Sequence, residues 1–87
     1  MNKENILNLL LSAEHTDKEV RRAQKQFYAT RVLYMYATEY GHGGEATTYL
    51  SNTANELENL IEDLGKEAEL KWASYHKARI EFRISQN

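Results

Sequence analysis

In one stretch of the chain, from residue 50 to residue 82, ten mostly apolar residues recur at alternating steps of four and three positions. This spacing is the heptad repeat of a helix that buries one continuous stripe against another helix. Lys71 is the one polar member of the ten. The stripe consists of Leu50, Ala54, Leu57, Ile61, Leu64, Ala68, Lys71, Tyr75, Ala78 and Phe82. The chain is therefore predicted to be built on one long helix with a helical partner.

The long helix is predicted to run from about residue 46 to residue 85. Gly65 lies inside this range, and a glycine within a helix costs about 0.8–1 kcal/mol relative to alanine. The stripe nevertheless keeps its phase on both sides of Gly65, and the Lys66-Glu67 pair that follows offers no N-cap for a new helix. We expect one uninterrupted helix.

Two more helices are predicted before it. The first covers residues 3–14, with Asn2 as its N-cap and a dense run of leucines. Thr16 is followed three residues later by Glu19, which is the spacing of a capping box at a helix N-terminus. We therefore expect a break or sharp kink just before Thr16 and a second helix over residues 17–40.

Gly41-His42-Gly43-Gly44 follows the second helix and is predicted to form a turn over residues 41–44. Gly41 stands where a left-handed C-cap residue is expected. Elsewhere the sequence contains one further glycine and no proline, so few other interruptions are expected. The predicted fold is all-α: a short N-terminal helix followed by a long antiparallel helical hairpin, in one domain over residues 1–87.

Charge agrees with an antiparallel pairing of the second and third helices. Folding about the turn would place residue i near residue 85 − i, so that the basic second helix faces an acidic stretch of the third. We expect ion pairs across the hairpin to set the register more than they stabilise it. The cations are Lys18, Arg21, Arg22, Lys25 and Arg31, and the acids are Glu56, Glu58, Glu62, Asp63 and Glu67.

The end of the second helix, residues 32–37, is apolar or aromatic on every side. A helix with this composition must be covered on all sides, and one partner helix cannot do that. We therefore predict self-association, most simply two hairpins that form a homo-oligomeric helical bundle resembling a coiled coil. A different protein that covers the same surface is the alternative.

Composition excludes several classes of protein. The 87 residues have a net charge of −2 and a pI near 5.9, which argues against a chain built mainly to bind nucleic acid. The absence of cysteine excludes disulfides, thiolate catalysis and sulfur-ligated zinc. No apolar run is long enough to cross a bilayer, and a signal peptide pattern is missing. We expect a cytoplasmic protein with no membrane partner.

A group of aromatic residues around the turn is the best candidate for a partner-binding site. Tyrosine provides a large contact area and a polar tip, which favours it in binding hot spots. The alternative is that some of these residues form oligomer core and the others brace the turn. The candidate residues are Tyr34, Tyr36, Tyr40, His42 and Tyr49.

A second candidate is a basic cluster near the C-terminus of the sequence, which would bind a polyanion such as nucleic acid or a nucleotide. Clustered cations contact phosphates, and Trp72 or Tyr75 could stack on bases. We regard this as the alternative to protein binding. The cluster consists of Lys71, Lys77, Arg79 and Arg83.

Patterns for catalysis and metal binding are missing. His15, His42 and His76 have no second ligand at the spacing that a metal-binding helix needs. Paired carboxylates, a serine beside a base and a glycine-rich phosphate loop are also lacking. We therefore predict no enzymatic activity, no metal and no cofactor.

These observations favour a non-catalytic helical module for protein–protein interaction, acting as an adaptor, an assembly factor or a small inhibitor. Small helical proteins without cysteine are common among the accessory factors of phages and mobile elements that block a host protein or nucleoprotein machine. A protein of that kind would act in the cytoplasm of the host cell.

Overall fold

The computed structural model describes residues 2–41 and 44–86 and consists of two long helices. Helix α1 spans Lys3–Glu39 and helix α2 spans Glu45–Gln86. The residues within these two ranges include no strand. The predicted all-α class is confirmed.

The predicted break between helices over 3–14 and 17–40 is wrong, because α1 runs through this region without interruption. Thr16 is not an N-cap. It is only 1% exposed, and its hydroxyl donates a hydrogen bond to the carbonyl of Ser12 at 3.1 Å, one turn back in the same helix. A capping-box spacing was present, but burial of Thr16 between the helices decided the outcome.

Helix α1 carries its own heptad stripe, which explains why it continues. The alternation of three and four positions passes through Thr16 without a change of phase. All ten positions are buried or half-buried. They are Ile6, Leu9, Ala13, Thr16, Val20, Ala23, Phe27, Thr30, Tyr34 and Ala37.

Helix α2 is continuous through Gly65, as predicted. All ten predicted stripe residues of this helix are buried or half-buried, including Lys71. A methyl group added at Gly65 would meet nothing within 4 Å. The glycine is therefore not required by close packing within the chain.

The helix ends agree with the residues found there. The Asn2 side chain accepts a hydrogen bond from the Asn5 amide at 2.9 Å, so Asn2 is the N-cap of α1, as predicted. Gly41 has a φ of +76° and Gly44 has a φ of +78°, a left-handed conformation that favours glycine at both ends of the turn. His42 and Gly43 lie outside the described residues.

The two helices lie antiparallel, and side-chain hydrogen bonds join them in the half away from the turn. The Lys71 ammonium group donates to the Thr16 hydroxyl at 2.8 Å, and the Trp72 indole N–H donates to the Asp17 carboxylate at 2.9 Å. Facing residues therefore have numbers that add to about 88, a shift of about three from the register expected from sequence.

The buried apolar side chains are small, so the core is thin. Short side chains in the seam let the helix backbones approach, and the larger seam residues are only half-buried. The buried apolar residues are Ala13, Ala23, Ala37, Ala54, Ala68 and Ala78.

The hairpin is a rod of 67 × 14 × 14 Å with a radius of gyration of 19.4 Å, against about 12 Å for a compact domain of this length. Its accessible surface is 6781 Å², whereas a compact monomer of 10.1 kDa exposes about 5,300 Å². One chain therefore leaves roughly 1,500 Å² more surface in water than a globular protein of its mass.

Neither α1 nor α2, over the residues given above, has a segment both long and apolar enough to span a membrane.

Candidate protein-binding surfaces

One side of the hairpin carries an open groove between α1 and α2, close to the turn, with a volume of about 820 Å³. Most of its lining is aromatic or aliphatic, and three polar side chains border it. We call it the apolar groove. Its residues are Gln24, Phe27, Tyr28, Arg31, Val32, Met35, Glu58 and Ile61.

Helical spacing explains why these α1 residues share one face. Tyr28, Val32 and Met35 follow steps of four and three, so their side chains lie above one another on the outer side of α1, beyond Gln24 and Arg31. All three are exposed, Tyr28 to 72% and Met35 to 61%. The Arg31 guanidinium lies 6.0 Å from the centre of the Phe27 ring, a cation–π distance that holds it at the groove margin.

Four cations of α1 line a second, shallow concavity further from the turn. We call them the basic cluster: Lys18, Arg21, Arg22 and Lys25. Over residues 2–41 and 44–86, no carboxylate lies within salt-bridge distance of any of them. The expected ion pairs across the hairpin are therefore wrong. The reason is geometric, since these four positions point away from α2 and are exposed.

The basic cluster and the apolar groove form one continuous surface. Lys25 precedes Val32 by seven residues, and Arg21 precedes Tyr28 by the same number. Positions seven apart lie almost on one line along a helix, because seven residues make about two turns. A ligand lying along α1 would pass from apolar side chains to cations.

The opposite side of the hairpin is marked by Ser12 of α1 and Leu70 of α2, which line a groove there. Seven-residue steps from Ser12 lead to Leu33 and Tyr40, and steps from Leu70 lead to Tyr49. All three are exposed. We call the turn half of this face the tyrosine side, made of Leu33, Tyr36, Tyr40, Tyr49 and Leu60.

The predicted tyrosine set is divided by the structure. The Tyr36 and Tyr40 rings contact each other in a tilted arrangement with centres 4.6 Å apart, both are exposed, and Tyr49 is exposed at the start of α2. Tyr34 is half-buried in the seam of α1 and belongs to the helix–helix contact. His42 lies outside the described residues.

The predicted C-terminal basic cluster is spread around α2. Lys71 bonds to Thr16 across the seam and pairs with Glu67 at 3.1 Å. Lys77 and Arg79 are two residues apart, so they point about 160° away from each other. The Arg79 guanidinium lies 5.9 Å from the Tyr75 ring.

Arg83 is exposed in the last turn of α2. It lies four residues beyond Arg79, which places these two cations on neighbouring parts of one face. The described part of the chain thus offers two exposed cations together at this end, rather than four.

The two described histidines have ordinary partners. His15 lies 2.8 Å from Glu19 of the same helix, and the His76 ring stacks on Trp72 at 5.9 Å. In the ranges 2–41 and 44–86, no three His, Asp or Glu side chains gather in a way that could hold a metal ion.

The apolar groove was missed at the sequence level. The sequence did contain a signal for it, because Tyr28, Val32 and Met35 recur at helical spacing outside the α1 seam. The prediction that residues 32–37 are apolar on every side included Val32 and Met35 but not Tyr28, and it did not separate the two faces.

No protein-family model matches the chain, and neither a curated protein nor a solved structure matches it significantly.

Proposed function

We propose that the protein is a non-catalytic helical module that binds another protein through the apolar groove and the adjoining basic cluster. The observation that carries this proposal is the continuity of the two surfaces along α1. Exposed Tyr28, Val32 and Met35 border a groove, and unpaired cations follow in the same line. An adaptor, an assembly factor or a small inhibitor could use such a surface.

The ligand that fits this surface is an amphipathic helix with acidic residues at one end. The groove runs between two long helices and presents aromatic and aliphatic side chains, which is how an apolar helix face is accepted by a helical groove. Its acidic end would meet Lys18, Arg21 and Lys25, which have no carboxylate partner among the described residues.

The module is further proposed to act as a homo-oligomeric bundle. The support is the excess of accessible surface, about 1,500 Å², together with large exposed hydrophobic residues on both faces of the turn half. Burying one such side chain contributes roughly 1.5–3 kcal/mol. The tyrosine side remains available for self-association when the apolar groove is occupied by another protein.

Nucleic-acid binding through Lys71, Lys77, Arg79 and Arg83 is the weaker proposal. Lys71 is engaged with Thr16 and Glu67, and Lys77 points away from Arg79. Phosphate binding depends on several cations acting together, so two neighbouring arginines support little affinity.

Site-specific photo-crosslinking tests the proposed function. A benzophenone amino acid at Tyr28, in cells that express the protein, is expected to give a discrete adduct that protease removes and nuclease does not. The adduct should be lost when Met35→Asp is added, because a carboxylate at the groove would be desolvated by an apolar ligand. Arg21→Glu should reduce the yield of the adduct if the part of the ligand that lies beside the groove is acidic.

The matched control carries the same crosslinker at Asn59, an exposed position of α2. Adducts that are equally abundant at positions 28 and 59, or that persist in Met35→Asp, would contradict the proposal. A nuclease-sensitive adduct that is lost when the charges of Arg79 and Arg83 are reversed would favour the nucleic-acid alternative. Circular dichroism of each variant establishes that the helices are intact.

A further inference from the structure

We infer that two copies of the chain form a symmetric dimer through their tyrosine sides, with both turns at the same end and the two-fold axis parallel to the helices. This inference rests on the oligomeric part of the proposed function and specifies it. In this arrangement α1 of each copy lies against α2 of the other. The apolar groove of each copy stays open.

The tyrosine side carries large exposed apolar residues on both helices, as a face-to-face dimer needs, and one carboxylate, Glu56, lies between Tyr49 and Leu60. Leu33, Tyr36 and Tyr40 belong to α1, whereas Tyr49 and Leu60 belong to α2. Tyr40 lies level with residue 48 and residue 28 lies level with Leu60, because facing numbers add to about 88. With the turns together, the α1 residues of one copy meet the α2 residues of the other.

Near the turn, the groove side carries large exposed apolar residues on α1 but not on α2, among the described residues. Its α2 residues near the turn are Ser51, Asn55 and Glu58, which are polar. A dimer through that side would place Tyr28 and Met35 against amide and carboxylate groups. The two faces of the hairpin therefore differ, because near the turn only the tyrosine side carries large exposed apolar residues on both helices, among the described residues.

Charge supports the same arrangement in the middle of the rod. Arg22 lies level with residue 66, between Asp63 and Glu67, and the three side chains are on the outer part of the same face. Arg22 has no carboxylate partner within its own chain as described. With α1 against α2 of the second copy, Arg22 meets Asp63 and Glu67 of that copy twice in each dimer.

The opposite arrangement is disfavoured by the same charges. A two-fold axis perpendicular to the helices would place α1 against α1 and α2 against α2. Arg22, near the middle of α1, would then face Arg22 of the second copy. The acids of α2 around Asp63 would face one another as well. Like charges placed across an interface oppose association, so the turns belong at one end.

The surface left exposed is sufficient for this dimer. A standard interface buries about 800 Å² on each partner. The hairpin exposes roughly 1,500 Å² more surface than a compact monomer of its mass. Burial of the tyrosine side in a dimer would therefore leave part of this excess surface exposed, including the apolar groove.

Sedimentation and pulsed electron paramagnetic resonance test the inference together. The chain has no cysteine, so spin labels can be introduced at single sites, and exposed Asn52 and Gln86 mark the turn end and the open end. We expect about twice the 10.1 kDa chain mass. Labels at position 52 should lie within about 30 Å of each other, the width of two helix layers plus linkers.

A sample that mixes Asn52→Cys and Gln86→Cys separates the two orientations. With the turns together, the mixed pair is expected at about 50 Å, from 34 residues of helix at 1.5 Å each. With the turns at opposite ends, the mixed pair would become short and the 52–52 distance would become long. That result would overturn the inference.

One pair of variants tests which face forms the dimer. Leu33→Asp is expected to give a monomer, whereas Met35→Asp should leave the dimer intact, because these side chains point about 160° apart on α1. They are 55% and 61% exposed, so the substitutions are well matched. A dimer that survives Leu33→Asp and dissociates in Met35→Asp would contradict the assignment.

Charge exchange gives an independent result. Arg22→Glu and Asp63→Lys should each raise the dimer dissociation constant at least about tenfold, and mixing the two variants should restore a dimer. Arg21→Glu, one position away and on the groove side, is the control that should change dimerisation little. No recovery on mixing would argue against contact between α1 and α2 of different copies.

The inference and the proposed function fail in different ways. A monomer that still gives the site-specific adduct at Tyr28 would refute the dimer and retain partner binding. A dimer with the expected spin-label distances that gives no adduct at Tyr28 would support the dimer and refute partner binding at the apolar groove.

Discussion

The two halves of the hairpin are held together by different contacts. In the open half, where α1 begins and α2 ends, Lys71 and Trp72 donate hydrogen bonds across the seam to Thr16 and Asp17. Large apolar side chains lie in water in both halves, among them Leu7, Leu70 and Ile84 in the open half. The turn half adds the aromatic and aliphatic residues of the apolar groove and the tyrosine side, such as Tyr28, Leu33 and Met35. Both halves share the same heptad spacing.

This difference shows how one repeat serves two purposes. Directional bonds between side chains fix the register of two helices, because a shift of one residue breaks them. Exposed apolar side chains fix nothing within the chain, but they provide surface for association. The open half therefore sets the alignment of the helices, and the turn half presents the candidate binding surfaces.

The largest expected effect on stability is that of Trp72→Ala. The ring is half-buried, stacks on His76, contacts Tyr75 edge to face and donates to Asp17. We expect a loss of about 2–4 kcal/mol in the free energy of unfolding, measured by urea titration at one protein concentration. Tyr28→Ala, in the turn half, removes a side chain that is 72% exposed and should cost far less. Equal losses would show that the open half has no special role.

A smaller effect is expected for Lys71→Ala. The side chain is 33% exposed and loses both its bond to Thr16 and its ion pair with Glu67. We expect a loss of about 1–2 kcal/mol, whereas Lys66→Ala breaks only an exposed pair with Glu62 and should cost under about 0.5 kcal/mol. Thermal unfolding of both variants checks this. Lys71→Met keeps the volume of the side chain but removes its hydrogen bond and ion pair. Near-normal stability of this variant would show that Lys71 stabilises the hairpin by packing rather than by its polar contacts.

The smallest effect is expected at the boundary between the halves. Gly65→Ala should raise the free energy of unfolding by up to about 1 kcal/mol, because alanine favours a helix and its methyl group meets nothing within 4 Å. The melting temperature, followed by circular dichroism, is the measurement. A decrease would mean that another molecule packs against the bare backbone at Gly65.

Much of the fold was predictable from spacing alone. The stripe of α2 and its continuity through Gly65 follow from ten positions in one phase. The error at Thr16 came from two local patterns in competition, a capping box and a heptad position. A threonine satisfies both, and its burial against α2 could not be read without the partner helix.

The candidate site was predictable in composition and not in geometry. An aromatic region around residues 32–40 was expected, but its separation into an apolar groove and a tyrosine side depends on where α2 lies. The same holds for the cations. Arg22 and its neighbours were assigned to ion pairs within the chain, and they point outward instead.

The sequence by itself determined the helical class, the two stripes and the uneven distribution of apolar residues, because these depend on local periodicity. Only the tertiary structure decided that α1 is unbroken, that Lys71 bonds to Thr16, and which side chains remain in water. Those outcomes depend on the alignment of two helices across a shared seam. Such an alignment joins residues 55 positions apart, and no local pattern encodes it.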